Sequence, residues 1–191
     1  MGREDIPFER RGNLTSQEKE AIGLIQEYGL ALNDFLRDPG IVSEGDWIYY
    51  SRIVKLLDLA ISKSFLARNK DLYRGFEGDF CDRVLFCMSI DPDSLEVEHN
   101  YEALPHIIQD RAYTSFSADL DCALDFTESD VDYHLVFTIK GRRNDNALYL
   151  GGTDEEYIFP RKIPWVTTGY SLRIWEECRI IFISLDKYIE K

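Results

Sequence analysis

The segment Leu72-Tyr73-Arg74-Gly75-Phe76 marks the point at which the sequence changes from helical periodicity to short β-rich segments. Downstream of it, short apolar stretches alternate with turn residues, which is typical of strands. One short helix is predicted among them, over Leu120–Phe126. The predicted strands are Leu72–Phe76, Val84–Ser89, Ala112–Ser117, Tyr133–Ile139, Ala147–Leu150, Glu156–Phe159, Trp165–Thr168 and Arg179–Ser184.

The part of the chain before this segment has helical periodicity. Thr15 and Glu18 have the spacing of a capping box and predict a first helix that runs to about Arg37. A second helix is predicted from an N-cap at Asp46 to about Ala67. Helices first and mostly antiparallel strands later predict an α+β fold.

Length and composition fit one folded domain. The chain has 191 residues, of which 45% are hydrophobic and 13% aromatic. That is enough apolar material for a packed core and too much for a disordered chain. We therefore predict a single domain over 1–191, with a helical N-terminal part (1–70) and a β-rich core (71–191).

The charge balance argues against nucleic-acid and membrane partners. The formal net charge is -13, with 35 acidic residues against 22 basic ones. Such a surface repels phosphate groups, so stable binding to nucleic acid or to an anionic membrane is not expected. A small phosphorylated ligand stays compatible with this charge, because a few arginines in a cleft can bind it locally.

Cysteine, histidine and N-terminal patterns indicate neither a metal site nor a secretory signal. No apolar stretch follows the charged N-terminus, so we expect a cytoplasmic protein, or one translocated into a target cell by a signal-independent system. Reduced thiols and no metal are expected, because neither CxxC nor paired-histidine spacing occurs among Cys81, Cys87, Cys122, Cys178, His99, His106 and His134.

Arg74 lies in the middle of an apolar predicted strand, directly before Gly75. A guanidinium keeps its proton inside a protein, so it must find an anion there. It forms either a structural ion pair at a sheet edge, which is common, or a bidentate clamp on a phosphate. In the second case Gly75 would let the ligand approach the backbone closely.

Ser115 and Ser117 fall on one face of the strand Ala112–Ser117, because side chains alternate along a strand. Two hydroxyls at the end of a strand can orient sugar and carboxylate groups. The alternative is a solvated strand face with a serine as N-cap of the next helix. Ser117 suits that cap, which makes Ser115 the stronger site candidate.

Asp154 and Glu156 follow the flexible turn Gly151-Gly152 and precede an apolar strand that ends at Pro160. If this stretch is extended, the two carboxylates point the same way. Their repulsion can raise the pKa of one of them and create an acid/base pair. The alternative is an ordinary acidic loop in an acidic protein.

Together, the Tyr-Arg-Gly strand, the Ser-x-Ser strand and the acid-x-Glu turn resemble the arginine–serine–glutamate class of mono-ADP-ribosyltransferases. That class includes bacterial toxins, effectors and phage enzymes. The resemblance covers roughly residues 20–185 and implies a split β-sandwich of the ADP-ribosyltransferase type. Further segments that are similar to the family are Tyr28–Arg37, Leu57–Lys63, Ala123 with Phe126, and Glu156–Arg161.

The resemblance implies a role for each matching residue. Arg74 would hold the NAD⁺ phosphates, and the Gly75 backbone would contact the nicotinamide amide. Ser115 would orient the nicotinamide ribose and Glu156. Glu156 would hydrogen-bond the ribose 2′-hydroxyl as nicotinamide leaves, and Asp154 would help to choose and activate the acceptor. The catalytic set is therefore Glu156, Asp154, Arg74 and Ser115, and the NAD⁺-binding set is Arg74, Gly75, Ser115, Ser117 and Phe116, with no metal.

The implied reaction is cleavage of NAD⁺ at the nicotinamide ribosyl bond and transfer of ADP-ribose to a macromolecular acceptor, a protein arginine above all. Asp154 departs from the glutamate that arginine-modifying members usually carry, and its reach is one methylene shorter. Two alternatives stay open, an NAD⁺ glycohydrolase with water as acceptor and a catalytically inactive NAD⁺-binding or interaction module. An immunity or host protein is left open as a further partner.

Overall fold

The computed structural model describes residues 13–76, 79–127, 132–151 and 155–189. Contacts divide the chain into two structural units. The first unit comprises Met1–Asn69, Asp110–Ser115 and Gly141–Lys162, and the second comprises Lys70–Gln109, Phe116–Lys140 and Ile163–Lys191. The single domain with parts 1–70 and 71–191 stays a prediction.

Two long N-terminal helices are followed by strands, among which lie two shorter helices. The helices are α1 (Ser16–Arg37), α2 (Glu44–Ser62), α3 (Asp79–Met88) and α4 (Leu120–Leu124), with 3-10 turns at Pro39–Ile41 and Pro92–Ser94. The strands are β1 (Lys70–Phe76), β2 (Asn100–Glu102), β3 (Ile107–Ile108), β4 (Thr114–Ser117), β5 (His134–Gly141), β6 (Leu148–Gly151), β7 (Glu156–Phe159), β8 (Trp165–Trp175) and β9 (Cys178–Lys187).

The first helix begins at the predicted capping box. The Thr15 hydroxyl accepts a hydrogen bond from the Glu18 N–H at 3.2 Å, and Glu18 Oε2 accepts one from the Thr15 N–H at 2.8 Å. Non-helical backbone at Tyr28 (φ -124°, ψ 23°) kinks α1 before it ends at Arg37. The prediction of this helix is confirmed at both ends.

The second helix differs from the prediction at both ends. Its N-cap is Ser43 and not Asp46, because Ser43 Oγ accepts the Asp46 N–H at 3.2 Å. It ends at Ser62 and not near Ala67. The reason is that a side-chain amide, that of Asn146, occupies the carbonyls that a further turn would use, those of Ile61, Ser62 and Ser64.

In the first unit α1 and α2 pack together over a short sheet. The strand order there is β4–β7–β6, and β6 and β7 are antiparallel with Leu148 opposite Ile158. Apolar side chains that recur at helical spacing meet these strands in one core, because only one stripe of each helix can be buried. The core contains Ile25, Leu32, Phe35, Leu57, Ile61, Tyr113, Leu148 and Ile158.

In the second unit the strands are hydrogen-bonded in the order β2–β8–β9–β5–β1–β4, and β3 also pairs with β8. β5 and β9 are parallel, with Val136 opposite Phe182. The pairs β1/β4, β2/β8, β3/β8 and β8/β9 are antiparallel. The predicted α+β architecture with mostly antiparallel strands is thereby confirmed.

Several local predictions in the second unit were wrong or incomplete. The segment Val84–Ser89, predicted as a strand, belongs mostly to helix α3. Its burial pattern is helical, since Cys81, Leu85 and Met88 are buried or half-buried at intervals of four and three residues, while 82–83 and 86–87 are exposed. The strands β2 and β3 were not predicted, because two or three residues are too few to show a period.

Candidate active site

Arg74 lies in β1 and is half-buried. Its guanidinium carbon is 5.2 Å from the centre of the Phe76 ring, which is a cation–π contact. The Phe76 ring is in turn held by Phe80 and Phe137, at centroid distances of 4.7 and 4.5 Å. The aromatic cluster therefore fixes the direction of a guanidinium that solvent still reaches.

Gly75, the next residue, is packed closely against α4. A Cβ atom at this position would lie 1.9 Å from the carbonyl oxygen of Ala123 and 2.9 Å from Thr127 Cγ2. Packing of α4 on β1 thus requires a glycine here. The predicted contact of its backbone with nicotinamide stays a prediction.

The second half of β4 pairs with β1, with Ser117 opposite Tyr73. Phe116 is 2% exposed and its ring makes an edge-on contact with Trp165 at 5.7 Å, so only its backbone is available for the predicted NAD⁺ contact. Ser117 Oγ accepts the Asp119 N–H at 2.9 Å. Ser117 is not the N-cap of α4, because that cap is Asp119.

Ser115 and Glu156 lie in the first unit, on the neighbouring strands β4 and β7. Both are half-buried. Glu156 opens β7 opposite Gly151 of β6. Gly151 (φ 80°) and Glu155 (φ 42°) both have left-handed backbone. Asp154, for which an acceptor-activating role was predicted, lies outside the described residues.

Asp58 of α2 joins residues next to these two strands. Its Oδ1 accepts a hydrogen bond from the Tyr113 hydroxyl at 2.9 Å and one from Arg161 Nε at 3.1 Å, and its Oδ2 pairs with Arg161 Nη2. Burial of the Tyr113 phenol raises its pKa, and the nearby Asp58 carboxylate raises it further. The hydrogen bond that Arg161 donates to Asp58 raises the pKa of its guanidinium.

Asn33 of α1 completes this set, because its Oδ1 accepts the Tyr113 N–H at 3.2 Å. Asn33, Asp58 and Arg161 lie in segments that resemble the family, but no role was predicted for them. The signal in the sequence was that each of these polar side chains lies in a segment rich in apolar residues. The Asp58–Arg161 pair borders a cleft of about 400 Å³, which explains why the Asp58 side chain stays 40% exposed.

Comparison with known proteins identifies this architecture. No family model and no curated protein matches the chain. Among solved structures, a C3-type ADP-ribosyltransferase from Clostridium botulinum is 17% identical with a TM-score of 0.64, covering 94% of this chain and 90% of its own. Plx2a, an ADP-ribosyltransferase toxin from Paenibacillus larvae, is 17% identical with a TM-score of 0.61, covering 92% and 88%.

A third neighbour is C3stau2 from S. aureus, solved with NAD. It is 17% identical with a TM-score of 0.60, covering 91% of this chain and 88% of its own. The chain has the ADP-ribosyltransferase toxin fold. The fold that the three motifs implied is thereby confirmed.

Within this fold, the predicted site residues fall into two groups. Ser115 and Glu156 belong to the first unit. Arg74, Gly75, Phe116 and Ser117 belong to the second, on the paired strands β1 and β4. Each group is brought together by strand pairing, and the sharing of one site by all of them stays a prediction.

Two further features of this ADP-ribosyltransferase-fold chain concern metals and membranes. Among the described residues, no group of three or more His, Cys, Asp or Glu side chains could hold a metal ion. All four cysteines are free thiols. None of the helices in the described ranges is both long and apolar enough to cross a membrane.

Proposed function

We propose that this protein is a mono-ADP-ribosyltransferase that uses NAD⁺ as its substrate. The observation that carries the proposal is the placement of three motif residues on strands of this toxin fold. Arg74 lies in β1, Ser115 in β4 and Glu156 at the first position of β7. All three are half-buried, so each is held by the fold and still open to a ligand.

Each residue has one chemical task. Arg74 binds the NAD⁺ pyrophosphate, because a planar guanidinium pairs with phosphate oxygens in two parallel hydrogen bonds. The Gly75 backbone contacts the nicotinamide amide, and Ser117 and the Phe116 backbone extend that contact. Ser115 orients Glu156 and the ribose. The C3stau2 structure solved with NAD supports NAD⁺ as the ligand.

Catalysis consists of stabilising charge on the sugar. The bond between ribose C1′ and the nicotinamide nitrogen breaks, and neutral nicotinamide leaves with the electron pair. Positive charge then builds on the ribose, as in glycoside cleavage. The Glu156 carboxylate, hydrogen-bonded to the ribose 2′-hydroxyl, stabilises this charge more in the transition state than in the ground state.

The acceptor is a protein arginine. A guanidine nitrogen attacks C1′ with inversion and loses one proton to solvent, which balances the reaction. Asp154 is the residue proposed to orient this nitrogen. Because its reach is shorter than that of a glutamate, water is the competing nucleophile, and NAD⁺ hydrolysis is the competing outcome.

Nicotinamide release tests the proposal directly. The protein is incubated with NAD⁺ labelled in its adenylate part, with and without a cell lysate or an arginine analogue such as agmatine. We expect release that depends on the acceptor, with label transferred to it. Equal release with and without acceptor would indicate a hydrolase instead of a transferase. No release under any condition would refute the proposed activity.

The proposed place of action is a cytoplasm, that of the producing cell or that of a target cell after translocation. NAD⁺ and a protein acceptor meet there, and the reducing conditions suit four free thiols. The net charge of -13 favours a protein acceptor over nucleic acid.

A further inference from the structure

Asp58 accepts hydrogen bonds from residues at the start of one strand and after the end of another. Tyr113 directly precedes β4, and Arg161 follows β7 after a single residue, Pro160. Both bond to the same oxygen, Oδ1, from the Tyr113 hydroxyl at 2.9 Å and from Arg161 Nε at 3.1 Å. The second carboxylate oxygen takes a further bond from Arg161 Nη2. One carboxylate thus ties together the ends of two strands.

Tyr113 is fixed by contacts of its hydroxyl, its ring and its backbone. It is 1% exposed, and its hydroxyl is also 3.0 Å from the Val54 carbonyl oxygen. The Arg161 guanidinium carbon lies 5.7 Å from the centre of its ring. The Tyr113 backbone N–H donates a hydrogen bond to Asn33 Oδ1 at 3.2 Å. The entry to β4 is therefore fixed from α1, from α2 and from the residue pair that follows β7.

We propose that Asp58 is a positioning residue that sets the placement of Ser115 relative to Glu156. Ser115 is the second residue after Tyr113, and Glu156 is the first residue of the strand that Arg161 follows. Both intervening stretches are extended backbone, so a shift at the tied ends moves the two site residues along their strands. This inference rests on the proposed function.

Burial alone does not determine that placement. Strand pairing and the burial of Tyr157, Ile158 and Phe159 set the register of β7 to the nearest residue, but neither is directed at the ends of the strand, where shifts of a fraction of a residue are resisted least. Hydrogen bonds to a carboxylate are directional, and a paired guanidinium adds a fixed geometry. The carboxylate of Asp58 therefore restricts small shifts at the two strand ends, within the register that strand pairing fixes.

The test compares Asp58→Asn with an ion-pair variant of the second unit, Asp93→Asn, which removes the negative charge that pairs with Arg179. For Asp58→Asn we expect kcat for nicotinamide release to fall on the order of 10- to 100-fold, because small misplacements of catalytic groups have effects of that size. Affinity for NAD⁺ should stay within about twofold of wild type. Asp93→Asn should change neither quantity. An unchanged kcat in folded Asp58→Asn would overturn the inference.

Hydrogen exchange provides a readout that does not depend on activity. In Asp58→Asn we expect faster amide exchange in both 112–117 and 156–161, and in neither segment for Asp93→Asn. Exchange unchanged in both segments would overturn the inference, even for a wild-type protein without activity. Nicotinamide release by the wild type decides the proposed function separately. Should Asp58→Asn fail to fold, Tyr113→Phe removes one of the bonds at the same size, and the same two outcomes apply.

Discussion

Glu18 in the first turn of α1 and Lys63, the residue that caps α2, form an ion pair with 2.6 Å between Oε1 and Nζ. Glu18 is 2% exposed and also accepts the Thr15 N–H. The bond from Lys63, followed by that from Thr15, lowers the pKa of the Glu18 carboxyl. The stabilising contact that this pair makes between the two long helices therefore depends on pH.

We expect this coupling to appear as acid destabilisation. A carboxyl with a lowered folded-state pKa contributes stability at pH values above its unfolded pKa, about 4.3 for glutamate. That contribution is lost as the pH falls from there through the lowered folded value. Urea unfolding should show that the free energy of unfolding falls less between pH 7 and pH 3 for Glu18→Gln than for wild type. Glu20→Gln, at an exposed position, should behave as wild type. The same dependence of unfolding free energy on pH in all three proteins would contradict the role assigned to Glu18.

Replacement of Gly75 by alanine should destabilise the protein. The added Cβ would lie 1.9 Å from a backbone oxygen, that of Ala123, so α4 would have to move off β1. Overpacking of this kind costs about 1–3 kcal/mol or more. Gly23→Ala is the matched control, since nothing lies within 4 Å of its added Cβ in α1. It should stabilise by about 0.5–1 kcal/mol. The melting temperatures of both variants test this expectation. An equal shift in both would contradict close packing of α4 on β1 at Gly75.

Glu156→Gln should lose on the order of 100-fold or more in nicotinamide release, because an amide cannot offset the positive charge on the ribose. NAD⁺ affinity should change little, since that affinity is assigned to phosphate contacts. Glu102→Gln, an exposed glutamate of β2, is the control. Full activity in Glu156→Gln would remove this residue from the mechanism.

Arg74→Ala should weaken NAD⁺ binding about 10- to 100-fold, the effect of losing charge-assisted hydrogen bonds. Arg74→Lys should fall in between, because an ammonium keeps the charge and loses the planar fork. Titration in a Glu156→Gln background avoids turnover during the measurement. The exposed Arg52→Ala serves as the charge control. Affinity equal to wild type in Arg74→Ala would refute the phosphate role.

Local patterns predicted those elements whose hydrogen bonds are themselves local. The capping box at Thr15 closes within four residues, and α1 begins there as expected. β7 was predicted with both bounds, since Glu156–Phe159 is a short apolar run directly after a turn. β8 and β9 form a hairpin, and both strands were predicted too short, as Trp165–Thr168 and Arg179–Ser184. The hairpin turn is made by Glu176 and Glu177 with left-handed backbone (φ 46° and 71°), and glutamate carries no turn signal.

The sequence by itself determined the fold class, the order of the arginine, serine and glutamate motifs and the strands that carry them. Each helix, strand and motif is recognised from side-chain spacing within its own segment, and the order of these segments along the chain gives the fold class. Only the tertiary structure revealed that packing requires Gly75 and that Asp58 contacts Tyr113 and Arg161. Asp58 is separated from those two partners by 55 and 103 positions. Contacts at that separation are made by chain folding, and periodicity within a segment carries no information about them.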